Sequence, residues 1–398
     1  MARRPSPDTT IAERIRDRRR ARGWSMSFAA SRAGLATSTW SRIERGLMSA
    51  DNRFVLADIA QALECPITDL VSSAAPPPAD RDLVATQANV YAIREALLEA
   101  DLDERPLVPA PPLAELEREI ELVKHLRSRC DYAATGRRLP DLIRGLHAAA
   151  HGPDRTEALR LMIVAGDIAA HTCKYTGYPA EGWVGAEWVR RAAEQLGDPV
   201  MAGYASFARA HAATGMGAYN RGHSLAARAA DELAGHADED HAAGVLGLLL
   251  LTSGHTAHAI RRPAEGDQFY AEAARLAERT GETDTFGQYF GPTNVAFWRV
   301  AGEVDGGDPE EAVRIALQTN PAPLPVPIRQ AMFYMDGARA LARVGRDRDA
   351  VRYLVTAERT APQLVHASPV AKETARGLRD RAGGPQLRAL CERMGMPA

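Results

Sequence analysis

Between Trp24 and Gly46 the chain reads WSMSFAASRAGLATSTWSRIERG, rich in side chains that hydrogen-bond base edges and phosphates. Thr37, Ser38, Ser41, Arg42 and Arg45 share the polar side of one short helical run. An arginine can make two hydrogen bonds to a guanine edge, and hydroxyls reach either bases or phosphate oxygens. A second short run comes before it, and the two meet at Ala33-Gly34-Leu35. Helix, glycine-bearing turn and helix is the shape that seats one helix in the DNA major groove.

A different chemistry gathers at residues 285–299, TFGQYFGPTNVAFWR, where Phe286, Tyr289, Phe290, Phe297 and Trp298 surround Asn294. Rings with one amide suit a peptide or a small amphiphile on a concave surface. The same rings would also serve as packing between repeats, whereas Asn294 is costly to bury without a partner. Arg209, His211, His171 and Lys174 suit an anionic ligand if their helices face the same side. The candidate ligand-binding set is therefore Asn294, Trp298, Tyr289, Phe290, Arg209, His211 and His171. Six of the 11 histidines lie between His211 and His258, but no metal-ligand spacing appears, and Cys65, Cys130, Cys173 and Cys391 are scattered. No metal and no cofactor is expected. Phosphate-cradling loops, GxSxG and HExxH are all missing, so the chain does not read as an enzyme.

These residues need elements to hold them. A chain of 398 residues exceeds one simple core, and abundant alanine with 6% aromatics favours helix over sheet. The net charge of −2 hides an asymmetry. Residues 1–53 carry 12 Arg against five acids, a net +7, and the remainder nets −9. A basic head on an acidic body suits nucleic-acid binding by the head alone. No stretch has the apolar core of a signal peptide or reaches transmembrane length, and isolated thiols fit a reducing cytosol, so a cytoplasmic protein with no membrane partner is expected.

Taken in order, residues 1–8 are expected to form a mobile basic tail, and Thr9 or Thr10 to cap a helix over 11–21. Further helices are predicted from Ser25 or Ser27 to Gly34, over 37–45, over 53–64, and briefly at 69–71. Arg16, Arg19, Gly23-Trp24-Ser25, Ala29-Ala30, Ala33-Gly34-Leu35, Ser38 through Gly46, and Leu56 through Leu63 together resemble the Cro/repressor-like helix-turn-helix family, also called the xenobiotic-response-element (XRE) family. The resemblance covers about residues 10–71. It implies base reading by Thr37, Ser38 and Arg42, with Ser41 and Arg45 nearby. Arg22, which can face phosphate, and Ser27 complete the candidate DNA-contacting set. It also implies a buried ion pair between Arg19 and Glu44, with Trp40 and Ile43 facing the core. Met26 stands where the family commonly has a phosphate-touching glutamine, Phe28 where a polar residue is usual, and Arg18 where an apolar one is.

Ser72 to Asp80 reads as a proline-rich spacer, and a second proline-rich break at 105–112 separates helices predicted over 83–101 and 113–132. Beyond residue 137, helices are predicted to start near 156, 179, 198, 218, 240, 264, 283, 308, 328 and 348. Alternate members lie 42–45 residues apart, the signature of stacked helical hairpins. The segment from Gly345 to Pro362 resembles a tetratricopeptide (TPR) second helix with its closing proline, and FGPTNV resembles a phrase in actinobacterial XRE regulators with helical-repeat bodies. The expected fold is all-α: a five-helix Cro/repressor-like head at 1–72, a proline-rich linker with a connecting helix at 73–112, and an α-solenoid of TPR-like hairpins at 113–398. The resemblance implies a transcriptional regulator on double-stranded DNA, with a small-molecule or peptide effector and a homodimer assembled through the body, as in the peptide-pheromone receptors of Gram-positive bacteria. The alternative is a TPR protein that recruits a protein partner to DNA.

Overall fold

In the computed structural model, residues 10–71, 81–106, 108–236 and 241–396 are described. The expected basic tail, and the spacer at 72–80, lie outside them. The head comprises α1 (Ile11–Ala21), α2 (Met26–Arg32), α3 (Thr37–Glu44), α4 (Arg53–Ala62) and α5 (Thr68–Val71). Thr10 caps α1: its side chain accepts from the Glu13 backbone amide while the Glu13 carboxylate accepts from the Thr10 amide. Ser25 caps α2 by accepting from the Phe28 amide, and Asn52 caps α4 by accepting from the Val55 amide. Gly34 takes φ +65° in the turn between α2 and α3, a left-handed conformation that glycine enters without a Cβ penalty. Ile15, Ala29, Ala30, Trp40, Ile43, Ile59 and Leu63 close a small core of the head's own.

The body follows as α6 (Arg81–Glu99), α7 (Leu113–Ser128), α8 (Tyr132–Ala149), α9 (Arg155–Tyr175), α10 (Pro179–Leu196), α11 (Pro199–Gly215), α12 (Tyr219–Leu233), α13 (Ala242–Ala259) and α14 (Pro263–Thr280). A hairpin of β1 (Thr283–Thr285) and β2 (Gln288–Phe290) precedes α15 (Pro292–Gly306), α16 (Pro309–Gln318), α17 (Pro327–Arg343) and α18 (Asp347–Thr360). The chain closes with α19 (Pro362–Ala367), α20 (Pro369–Ala382) and α21 (Pro385–Arg393). From α9 to α18 consecutive helices pack in pairs, α9 on α10 through α17 on α18. Proline opens many of them, where its missing N–H is one that a first turn leaves unbonded anyway. Small residues set the approach within a pair: a Cβ on Gly182 would sit 2.8 Å from the Ala170 carbonyl oxygen. α6 packs against α8 and α10, and its Val90, Ile93, Ala96 and Leu97 belong to the body's core.

Three sequence expectations need correction. The helix predicted at 283 is a hairpin, with Thr283 opposite Phe290 and Thr285 opposite Gln288. Its two turn residues, Phe286 and Gly287, both take positive φ (57° and 79°), the requirement of a two-residue hairpin turn, and the Asp284 carboxylate accepts from the Gly287 amide. The helix predicted over 113–132 stops at Ser128, because Cys130 turns left-handed and Asp131 caps a new helix at Ala134. After residue 361 three helices, α19 to α21, pack onto α18 where none was predicted.

Candidate nucleic-acid interface and ligand cavity

The head's polar face is built on a buried charge pair. Arg19 Nε donates to Glu44 Oε1 at 2.6 Å and Nη2 to Oε2 at 2.9 Å, while Trp40 Nε1 donates to the same carboxylate at 2.6 Å. Burial opposes ionisation of Glu44, yet these donors hold its carboxyl below the usual range. The fork ties α1 to the inner face of α3 and leaves the outer face free. There Thr37, Ser38, Arg42 and Arg45 are exposed and Ser41 is half-buried. Arg45 Nε reaches back to the Ser41 carbonyl at 3.3 Å, and Arg42 sits beside the cleft between head and body. Arg22 lies on the far side of the turn, bonded to Glu64 at 2.7 Å and stacked over Trp24, and exposed Ser27 contacts Ser25. Met26 and Phe28 are also exposed, with Phe28 edge-on to Trp24. Arg18, at the other atypical position, reaches Asp69 on α5 at 2.6 Å.

α4 fastens the head to the body. Arg53 Nη1 donates to Asp305 Oδ2 at 2.9 Å and its Nη2 pairs with Asp336 at 2.7 Å. Arg339 bridges Asp305, Asp336 and the Asp51 carbonyl, and Arg343 pairs with the Asp51 carboxylate at 2.9 Å. Burial alone would raise the Asp305 carboxyl; Arg339 and Arg53 instead hold it far below its ordinary range. Three carboxylates thus meet three guanidiniums, a balance that buried charge requires. Beside them the Phe54 ring packs edge-on against Tyr219 (5.2 Å) and His255 (5.0 Å).

Inside the body, the candidate ligand residues separate into two groups. His171, His211, Tyr289, Asn294 and Trp298 line one cavity between α9, α11, β2 and α15. Phe290 is fully buried on the other face of β2 against α13, where a Cβ on Gly247 would sit 2.2 Å from its ring. Arg209 also stands apart, paired with Glu187 at 2.7 Å and stacked over Trp183. Asn294 is not an open ligand group, because its amide is spent: Nδ2 donates to the Tyr289 carbonyl, and Oδ1 accepts from Arg329 Nε at 3.0 Å and Nη2 at 2.5 Å. Sequence reasoning missed Arg329 and Arg127, the two arginines of this cavity. Arg329 is the only charge in the apolar stretch PIRQAMFYM, a signal that was there to be read; Arg127 sits in the charged run HLRSR and gives none. Burial and neighbouring cations keep His211 neutral, and burial likewise outweighs Asp167 in depressing His171. Burial also pushes the Lys174 ammonium down to about 7, where it donates to His211 Nε2 at 3.0 Å.

Among the described residues no group of three His, Cys, Asp or Glu is placed to hold a metal, and no helix is long and apolar enough to cross a membrane. Residues 10–72 match a family model described as a helix-turn-helix domain, so the head is that domain. The crystal structure of Bacillus thuringiensis PlcR in complex with the peptide PapR7 and DNA is similar at 17% identity and a TM-score of 0.31, covering 68% of this chain and 95% of that one. No curated protein matches the chain.

Proposed function

We propose that this protein is a sequence-specific DNA-binding transcriptional regulator whose helical body senses a small molecule or peptide and joins two copies into a homodimer, with no catalytic step. Residues 1–72 serve DNA, 113–398 sensing and dimerisation, and 73–112 the connection, with α6 packed onto the body. One observation carries it. α3 stands on a helix-turn-helix frame with Thr37, Ser38 and Arg42 turned outward, pinned from behind by Arg19, Glu44 and Trp40. Thr37, Ser38 and Arg42 read bases; Ser41, Arg45 and Ser27 support them; Arg22 contributes positive charge from the flank. The body acts by favouring one placement of the heads over another, which requires an effector that binds the two placements unequally.

The test begins with selection of preferred sites from random-sequence duplexes. Arg42→Ala is then measured against the selected site and against random DNA at one salt concentration. A lost bidentate guanine contact costs about 1–3 kcal/mol of discrimination. The preferred site should therefore weaken by roughly ten- to a hundredfold while random DNA binds nearly as before. An equal loss on both would make Arg42 a phosphate contact and remove the base-reading assignment.

A further inference from the structure

At three places among the described residues, buried or largely buried arginines meet carboxylates. Arg19 has Glu44, Arg209 has Glu187, and the head–body junction sets three carboxylates against three guanidiniums. The inner cavity breaks that pattern. Arg127 lines it, and Asp167, outside the lining, lies 3.8 Å away and offsets its charge. Asp167 is otherwise occupied by the Tyr204 hydroxyl at 2.7 Å and Gln288 at 2.8 Å, with His171 beside it at 3.2 Å. Arg329 has no carboxylate within ion-pair distance among the described residues: it holds the Asn294 amide oxygen, lies over the Trp298 ring, and touches the Met332 sulfur at 3.7 Å. Lys174, just outside the cavity, also has no carboxylate within ion-pair distance among the described residues; its ammonium meets the ring and carbonyl of His211 and the Tyr175 face. Two further donors at the cavity, Arg127 Nε and Trp298 Nε1, are buried with no acceptor among the described residues. A buried cation without a counter-ion is costly, and unmade hydrogen bonds add to the cost.

We propose that this cavity is a receptor for the carboxylate of a small amphipathic acid, with Arg329 as its counter-ion; the proposal rests on the sensing role assigned to the body. A single negative charge fits, because one permanently charged arginine is left over. The walls supply the apolar half, from Tyr175, Phe207, Leu248, Trp298, Ile328 and Met332. Asn294 is a positioning residue: it fixes the Nε and Nη2 edge of Arg329 and leaves Nη1, opposed only by a thioether, to meet a carboxylate. The cavity as it stands has about 20 Å³, the size of one water molecule. The acid's apolar body therefore enters by moving Trp298 or Met332. The carboxylate can come from a free acid or from a peptide C-terminus.

Thermal unfolding of the full-length protein separates these sources. Phenylacetate, 4-phenylbutyrate and octanoate are each compared with their neutral primary amides at equal ionic strength, and a tetrapeptide ending in Phe is tested with a free and an amidated C-terminus. At least one free carboxylate should raise the melting temperature by several degrees while its amide does not, and Arg329→Gln should abolish the shift. A shift from the small acids identifies a free acid as the ligand class, and one confined to the free tetrapeptide identifies a chain terminus. Equal shifts by acid and amide, no shift by any carboxylate, or a shift that survives Arg329→Gln would each overturn the proposal. If Arg329→Gln does not fold, Met332→Trp fills the same cavity and must abolish the shift instead. Binding to the selected DNA site is measured on the same samples. A protein that binds its site but ignores every acid loses this receptor and keeps the regulatory reading; one that responds to acid but has no site preference loses the regulatory reading and keeps the receptor.

Discussion

At the scale of the residue, the chain handles buried charge in two ways, and each makes a prediction. Arg19 and Glu44 form a closed pair that also engages Trp40. Arg19→Met would leave Glu44 buried without its counter-ion, at a cost of about 3–5 kcal/mol. Urea unfolding followed by tryptophan fluorescence should show the head melting well before the body, and coincident transitions at the wild-type midpoint would refute the pair's structural role. Lys174 is the open case. Its neighbours across α9 and α11 are Asp167, His171, Tyr175 and His211, with Arg53 of the head adding repulsion. Burial pushes its folded value to about 7, whereas an unfolded lysine titrates near about 10.4. Between those limits the unfolded chain binds the extra proton, so this group's contribution to stability rises with pH from about 7 upward. Wild type should therefore gain melting temperature relative to Lys174→Met between pH 7 and pH 9, and a flat difference would show that Lys174 is solvated. The closed pair was legible in the sequence because a familiar motif carries both partners. The open cavity was legible only in part: residue type singles out Asn294, Trp298, Tyr289, His171 and His211, but Arg127 and Arg329 come from helices about two hundred residues apart, and only the fold brings them together.

At the scale of the element, α15 joins cavity to head. Asn294 and Trp298 occupy its first two turns and Asp305 its last, about 16 Å further on at the rise of an α-helix. The helix also sits where the body's two cores meet, with Val295 in one and Phe297, Val300 and Val304 in the other. Trp298 lies 5.6 Å from His255, and His255 packs on Phe54 of the head, so a displaced Trp298 presses toward α4 by a second route. Asp305→Asn would remove the shared counter-ion of Arg53 and Arg339 and loosen α4 from the body. Hydrogen exchange at the α4 amides should then quicken at least about tenfold, the signature of a lower local opening energy, with the preference for the selected DNA site intact. Unchanged exchange would mean that apolar packing around Phe54 holds the head by itself. Helix starts were mostly legible because proline, aspartate and glycine punctuate the body; α9, α11, α13 and α17 begin within two residues of expectation. The hairpin before α15 was not, since it depends on a left-handed Phe286 that no helical or strand period announces.

At the scale of the whole molecule, the basic head and acidic body set how the protein meets DNA. The body's excess of acid discourages its own contact with phosphate, so contact with DNA is concentrated in a head with few candidate base-reading side chains. One such head is weak, and the proposed homodimer answers this by presenting two heads to half-sites about 34 Å apart, one helical turn or a multiple of it. The second head then binds at high effective concentration, which multiplies affinity by about a hundredfold or more without any new contact. Three duplexes test this: one half-site, two at the selected spacing, and two with five added base pairs, which turn the second half-site to the opposite face. Affinity for the phased pair should exceed that for the single site by about a hundredfold, the added half-turn should cancel most of the gain, and sedimentation should find two chains on the phased duplex. Asp305→Asn sharpens the comparison, because heads released from the body tolerate misphasing. Its penalty for the five added base pairs should shrink while its single-site affinity stays unchanged. Equal affinity for all three duplexes with one chain bound would show that a single head suffices, and the body's role would then lie in what it captures rather than in how it spaces the heads.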